Sequence, residues 1–261
     1  MAQIKLQKLV NVRDLGGIRT EDGRTIKEKR LIRSETLFKA SQKDIDKLTN
    51  EYNLRTVVDF RTVLEAEQKP DPEIKGVTNI FNPIIDESVM GITRETISLF
   101  DIPKRYVGMT IEPMLYMQNM YRDIAFGDLA KKNYANFFRI LLQQEEGSTL
   151  WHCSAGKDRV GIGTMLLLSA LGVARETIIE DYLMTSYYFR HENRKLELLI
   201  HLGVRDKKVR DYIFFLMDVK REFIEAVFDE IEKFGGMDKY LEEIMGLTAD
   251  KREKLKDMYL D

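Results

Sequence analysis

Leu54 to Phe60 is a short stretch rich in valine, and Thr149 to Trp151 is a short apolar run. Runs this short and this apolar predict strands buried on both faces. Val77 to Ile85 and Arg30 to Arg33 read as further strands, with a hairpin turn at Asp22-Gly23 ahead of the latter. Elsewhere the apolar spacing changes to three and four. A helix is expected from Ser41 to about Tyr52, opened by an N-cap serine with an acidic residue three positions on. Inside it, Asp44-Ile45-Asp46 reads as a solvated face. Leu129 to Gln143 is a second amphipathic helix, and Gly161 to Leu171 is an apolar run of helix length. Beyond Gly172 the pattern is helical throughout, over Glu176–Tyr188, Asn193–Leu202, Asp211–Phe234 and Met237–Met245, with Thr248 as cap for a last helix reaching Leu260. Gly91 to Asp128 shows no strand pattern. It carries one soft apolar stripe, Met114, Met117, Met120 and Tyr121, at helical spacing, which predicts a core-facing helix. Strands alternating with helices as far as Gly163, and helices alone beyond Gly172, fit an α/β fold with a helical C-terminal half.

Composition narrows this picture. With 261 residues, 44% of them hydrophobic, the chain can bury a full core, and no repeat or linker divides it, so a single domain over 1-261 is expected. A net charge of -2 gives no support to nucleic-acid binding. One cysteine excludes an internal disulfide, the first residues lack the apolar stretch of a signal peptide, and the longest apolar run, Val160 to Val173, is too short to span a bilayer. The expected location is the cytoplasm. His191 and His201 have no acidic or cysteine neighbours at ligand spacing, so no metal site is expected.

The candidate chemistry lies where the apolar run 149 to 151 meets the helix starting near Asp158. That single cysteine, Cys153, is followed six positions later by Arg159. In a chain with nineteen arginines the spacing alone is a weak sign. Its setting is stronger. The loop Ser154, Ala155, Gly156, Lys157, Asp158, Arg159 lies over a helix N-terminus, where unpaired N–H groups and the positive end of the helix dipole favour an anion. Gly156 lets consecutive N–H groups converge on one point, and Arg159 can add a planar fork to two oxygens of a phosphate. The same field is expected to lower the thiol pKa of Cys153. His152 can hold the turn through loop carbonyls. Asp59 and Arg61 stand beyond the end of a strand, where functional groups of α/β sheets gather, although Arg61 can equally pair with Glu65 four residues on.

At His152-Cys153-Ser154-Ala155-Gly156-Lys157-Asp158-Arg159 the chain resembles the phosphate-binding loop of the cysteine-dependent protein tyrosine phosphatases. The Ala-Gly-Lys-Asp-Arg core is similar to the bacterial subgroup related to lipid phosphatases, as are Asn11-Val12-Arg13-Asp14-Leu15-Gly16-Gly17 and Asp59-Phe60-Arg61. The resemblance implies a central, mostly parallel sheet flanked by helices, a helical lid within 91-128, and activity on phosphotyrosine, with phosphoserine, phosphothreonine and phosphoinositides as further substrates. It implies no cofactor, allows peripheral membrane contact, and in some relatives goes with secretion without a leader. It also implies that Asn11 to Gly17 shapes a wall of the site. The general acid is Asp86, by strand order, or Asp158, inside the loop. Val160 departs from the family, many of whose members have Ser or Thr there to help the thiolate leave.

The reaction expected is in-line attack by the Cys153 thiolate, stabilisation of the phosphoryl oxygens by Arg159 and the loop N–H groups, and protonation of the leaving oxygen by an aspartic acid. Lys157 is expected at the rim as a second cation, suited to a phosphoinositide head group. A phosphate-reading module would have lost Cys153 or Arg159. A sulfurtransferase also places a thiolate in such a turn, but the preceding His and the Gly-Lys-Asp-Arg that follows argue against it.

Overall fold

A computed structural model describes residues 2–87 and 112–261. Six strands form one sheet: β1 (Ala2–Gln3), β2 (Arg13–Asp14), β3 (Leu31–Ser34), β4 (Leu54–Asp59), β5 (Thr78–Phe81) and β6 (Ser148–His152), in the order β1-β2-β3-β6-β4-β5. The four strands β3, β6, β4 and β5 run parallel, and β1 and β2 add an antiparallel edge. Side chains alternate between the faces as the strand repeat requires. Leu31, Val58 and Trp151 point into the larger core, while Ile32, Val57 and Leu150 point into a smaller one beneath helix α1 (Gln42–Asn50). With both faces covered, β4 and β6 are buried along their length but for Arg55.

Register brings three strand ends level. Ser34 and Asp59 both pair with His152, so the carboxyl ends of β3, β4 and β6 open onto one spot. Helix α2 (Val63–Gln68) starts beside it on a Thr62–Glu65 capping box. After residues 88–111 come α3 (Pro113–Phe126) and α4 (Asp128–Gln143). The part of the expected 91-128 lid that is described is α3, with Met117 and Tyr121 buried and Met114 and Met120 packed against the larger core; the rest lies outside the described residues. Helix α5 (Asp158–Ala170) follows the loop after Cys153 and is buried along nearly its whole length, which explains why it is apolar all round. Around it stand α6 (Arg175–Tyr188), α7 (Arg190–Gly203), α8 (Lys207–Met217), α9 (Arg221–Phe234), α10 (Met237–Glu243) and α11 (Ala249–Tyr259).

Three local expectations are corrected. The helix expected over 211–234 is two, α8 and α9, broken at Asp218, whose carboxylate accepts from Ser186 Oγ and from Val219 N at 2.9 Å. Asp44 is not solvated: it is 1% exposed, and besides closing the capping box with Ser41 it accepts from the Gln7 and Lys8 amides, tying the N-terminal segment to α1. Thr248 stands at the N-cap of the last helix without a side-chain capping bond.

Candidate active site

Cys153 follows β6 directly and is 2% exposed, on the floor of the loop. What shapes that loop is the capture of its carbonyls from outside. Thr36 N donates to Ser154 O at 3.1 Å, Asn11 Nδ2 to Ala155 O at 2.8 Å and to Gly156 O at 3.2 Å, and Arg33 Nη2 to Gly156 O at 3.0 Å. With the carbonyls held outward, the amides between them are left to converge inward. Asn11 is held in turn by Arg13, whose Nη1 donates to Asn11 Oδ1 at 2.6 Å. Arg13 and Arg33 both pair with Asp181 of α6, which is buried like them. Burial and the adjacent Arg33 charge bring the Arg13 guanidinium down to about 10.

Gly156 has φ +67°, and a Cβ there would stand 2.4 Å from the backbone oxygen of Ser34. Gly156→Ala is therefore expected to lower stability by roughly 2 to 4 kcal/mol and to open the loop. Denaturant melts and rates on a small phosphate ester, measured on the same preparation, check this, and an active, fully stable variant would show that the loop tolerates another shape.

Arg159 is gripped by a residue that sequence reasoning assigned elsewhere. Its Nη1 donates to Glu65 Oε2 at 2.6 Å and its Nη2 to Glu65 Oε1 at 2.9 Å, and Ser154 Oγ donates to the same carboxylate. Glu65 thus pairs with Arg159 and not with Arg61. Burial pushes Glu65 up, but the Arg159 charge and hydrogen bonds, with Ser154 and Thr62, bring it down to about 2 from an ordinary 4.5. A depressed carboxyl contributes stability that is complete above its unfolded value and lost as the pH falls through its folded one. We therefore expect stability to fall between pH 4.5 and 2, with Glu65 accounting for on the order of 3 kcal/mol. Asp44, Asp71 and Asp181 are lowered too, so the Glu65 share is read as the difference in acid unfolding between the parent and Glu65→Gln. Identical acid profiles would sink the assignment.

Burial pushes the Cys153 thiol up, against Arg159 and the Val160 N–H, and the carboxylates of Asp158 and Glu65 add to the rise. This corrects the expectation of a thiol lowered by its loop. Arg159 is the largest pull downward on the thiol, and burial outweighs it.

His152, Asp59 and Arg61 form a second, supporting group. Arg61 donates to Asp59 through Nε and Nη2, to Asp71 Oδ2 at 2.7 Å, to Thr36 Oγ1 at 3.0 Å and to Lys69 O at 2.6 Å. His152 Nε2 stands 2.9 Å from Asp71, and its Nδ1 stands 3.3 Å from Cys153 O and 3.7 Å from Asp59. Burial pulls the imidazole down, but the Asp59 and Asp71 carboxylates raise it beyond that. Ligand atoms of Asp59, Asp71 and His152 lie within 4.8 Å of one another, the spacing of a metal cluster. Arg61 sits on both carboxylates, however, so a guanidinium already occupies the place a cation would take, and the group is an ion network bracing the strand ends.

Asp158 begins α5 with its side chain 19% exposed, its Oδ1 2.5 Å from the Tyr121 hydroxyl, which in turn lies 2.5 Å from that of Tyr182. Lys157 is 4% exposed, not at the rim. Its ammonium turns inward to Leu216 O at 2.6 Å, Asp218 O at 3.3 Å and Asp158 at 3.7 Å, across the break between α8 and α9. Asp86 is exposed.

Over residues 4–261 the chain matches the sequence profile of the tyrosine phosphatase family. It belongs to that family. It is 29% identical over 240 residues, 90% of its own length and 81% of the relative's, to a protein of Cupriavidus necator named as a candidate tyrosine-protein phosphatase. It is 36% identical over 59 residues, 23% of its own length and 20% of the relative's, to a tyrosine-protein phosphatase of Nostoc commune. The protein is thus a protein-tyrosine phosphatase, a hydrolase of phosphate monoesters, on a mostly parallel α/β sheet. Among the described residues of this phosphatase no helix is long and apolar enough to cross a membrane. Glu65, Asp71, Tyr121, Arg33 and Asp181 are the site residues that sequence reasoning passed over.

Proposed function

We propose that this phosphatase dephosphorylates tyrosine in proteins through a phosphocysteine formed on Cys153. What carries the reading is the combination of loop carbonyls tied outward with an Arg159 guanidinium clamped edge-on by Glu65. In that arrangement the loop amides of Ser154 to Arg159 and the free edge of Arg159 receive the phosphoryl oxygens. The thiol proton passes to an oxygen of the dianionic ester, and the thiolate attacks the resulting monoanion in line. Asp158 gives its proton to the leaving phenol oxygen. Water, losing a proton to Asp158, then attacks the phosphocysteine, and the departing sulfur takes back a proton as phosphate leaves. Asp158 is preferred to Asp86 because it lies within the loop. Lys157 acts by holding Asp158 and the end of α8, while His152, Asp59 and Arg61 keep the strand ends in place. No metal or organic cofactor enters this scheme.

Phosphoserine, phosphothreonine and phosphoinositides are proposed as further substrates, met in the cytoplasm. A panel of these esters, run with EDTA and with vanadate, tests the reading: EDTA leaves the phosphotyrosine rate unchanged and vanadate stops it. Asp158→Asn is expected to lose more on phosphotyrosine than on an aryl phosphate whose phenol is already acidic. Rescue of Asp86→Asn by that phenol, with Asp158→Asn impaired equally on both, would move the proton donor to Asp86.

A further inference from the structure

A cavity of about 300 Å³ opens beside the phosphate loop, with Ser154 and Ala155 on one side. Its other walls carry Lys8, Lys39 and Lys69, the apolar Phe189 and Leu196, and Glu192 from the first turn of α7. Two features of these walls are at odds with a merely solvated groove. Lys8 and Lys39 form no ion pair among the described residues, and with Lys69 they give the opening three ammonium groups against the two carboxylates of Glu35 and Glu192. Glu192 has a carboxylate oxygen, Oε2, that is buried and has no hydrogen-bond partner among the described residues. A buried acceptor left without a donor carries a desolvation cost, larger when ionised, that a donor from outside would relieve. Glu35, the other acid here, already accepts from the Val10 and Asn11 amides at 2.7 and 2.9 Å.

We propose that this cavity is a peptide subsite, in which Glu192 accepts a backbone N–H of the phosphotyrosine chain and Lys8 and Lys39, beside Lys69, receive a carboxylate from a residue next to the phosphotyrosine. The proposal rests on the phosphotyrosine reading above and says which peptides it favours. A peptide suits the walls because it brings an N–H donor, an apolar side-chain stem for Phe189 and Leu196, and an acidic tip together. A polyphosphorylated sugar brings chiefly negative charge, which the unpartnered Glu192 carboxylate repels. The cavity's position beside Ser154 and Ala155 puts a flanking residue there when the phosphate is in the loop.

The test compares kcat/KM for p-nitrophenyl phosphate, for a phosphotyrosine peptide flanked by Glu, for the same peptide with Gln in those places, and for inositol trisphosphate. The wild-type enzyme is expected to favour the acidic peptide by roughly three- to tenfold at low ionic strength, the preference shrinking as salt is added. The Lys8→Gln/Lys39→Gln double variant is expected to lose that preference and keep its p-nitrophenyl phosphate rate, which also reports that it is folded. Glu192→Gln is expected to weaken both peptides alike and to spare the small ester. Equal rates on the two peptides in the wild-type enzyme, or a preference that survives the double variant, would overturn the proposal. So would loss of inositol trisphosphate turnover in the double variant with both peptides unchanged, which would give the lysines to a head group. Failure of the wild-type enzyme on p-nitrophenyl phosphate itself would instead overturn the phosphatase reading beneath it.

Discussion

Cys153→Ser is expected to lower phosphotyrosine turnover by on the order of four powers of ten while phosphopeptide binding persists. The substitution removes one sulfur from a position that is 2% exposed and leaves untouched the contacts that hold the loop, since Thr36, Asn11 and Arg33 bind its carbonyls and none of them binds the sulfur. The anion-receiving amides therefore stay in place. What is lost is the nucleophile: a serine hydroxyl, far less acidic than a thiol, is not ionised at this site, least of all where burial and two carboxylates already oppose ionisation. Steady-state rates and calorimetric titration with a phosphopeptide on the same variant read the two halves of the expectation. Residual turnover above about one per cent of the parent would remove Cys153 as nucleophile, because loss of an activated nucleophile costs far more than that. Loss of binding together with turnover would show that the sulfur also shapes the loop.

Arg159→Lys is expected to cost roughly three powers of ten in kcat/KM, despite keeping the charge. Both Glu65 oxygens are met by one planar guanidinium at 2.6 and 2.9 Å, and this pairing fixes the plane in which the remaining N–H groups point. A lysine ammonium can approach one of those oxygens or the phosphate, not both in a fixed plane. Glu65, 5% exposed, would then be left partly unpaired, so a loss of stability should accompany the loss of rate. The diagnostic companion is Glu65→Gln, which keeps the shape of the clamp and removes its charge. If Arg159→Lys stays within tenfold of the parent, the phosphate does not lie against Arg159 and the site must be redrawn.

The strand, turn and helix carrying Cys153 and Arg159 were legible because each is a local pattern: an apolar run, a glycine needing positive φ, and an apolar stretch of helical length. Partnerships were less so. The spacing of Arg61 and Glu65 suggested a helical pair, yet Thr62 caps the helix, so Arg61 lies outside it and the rule for residues four apart does not apply. Arg61 turns instead to Asp59 and Asp71, and Glu65 is free for Arg159. Lys157 illustrates a second limit. A lysine beside an aspartate in a turn reads as solvated, and only the packing of α8 across the loop shows that its ammonium is buried on carbonyls at a helix end. That same contact lies at the unexpected break at Asp218, where no glycine or proline marked a stop.

The pairing of Asp181 with Arg13 and Arg33 also has a meaning in time. The partners lie 168 and 148 residues apart in the chain, so this clamp closes only after α6 has been made and has docked. Without α6, Arg13 and Arg33 would lack that counter-charge, and Asn11 and Arg33, the donors to the loop carbonyls, would lose their support. A chain ending at Arg159 would hold the whole loop from Cys153 to Arg159 and lack the carboxylate that braces it. The outer support of the loop therefore depends on a carboxylate supplied from beyond the loop helix.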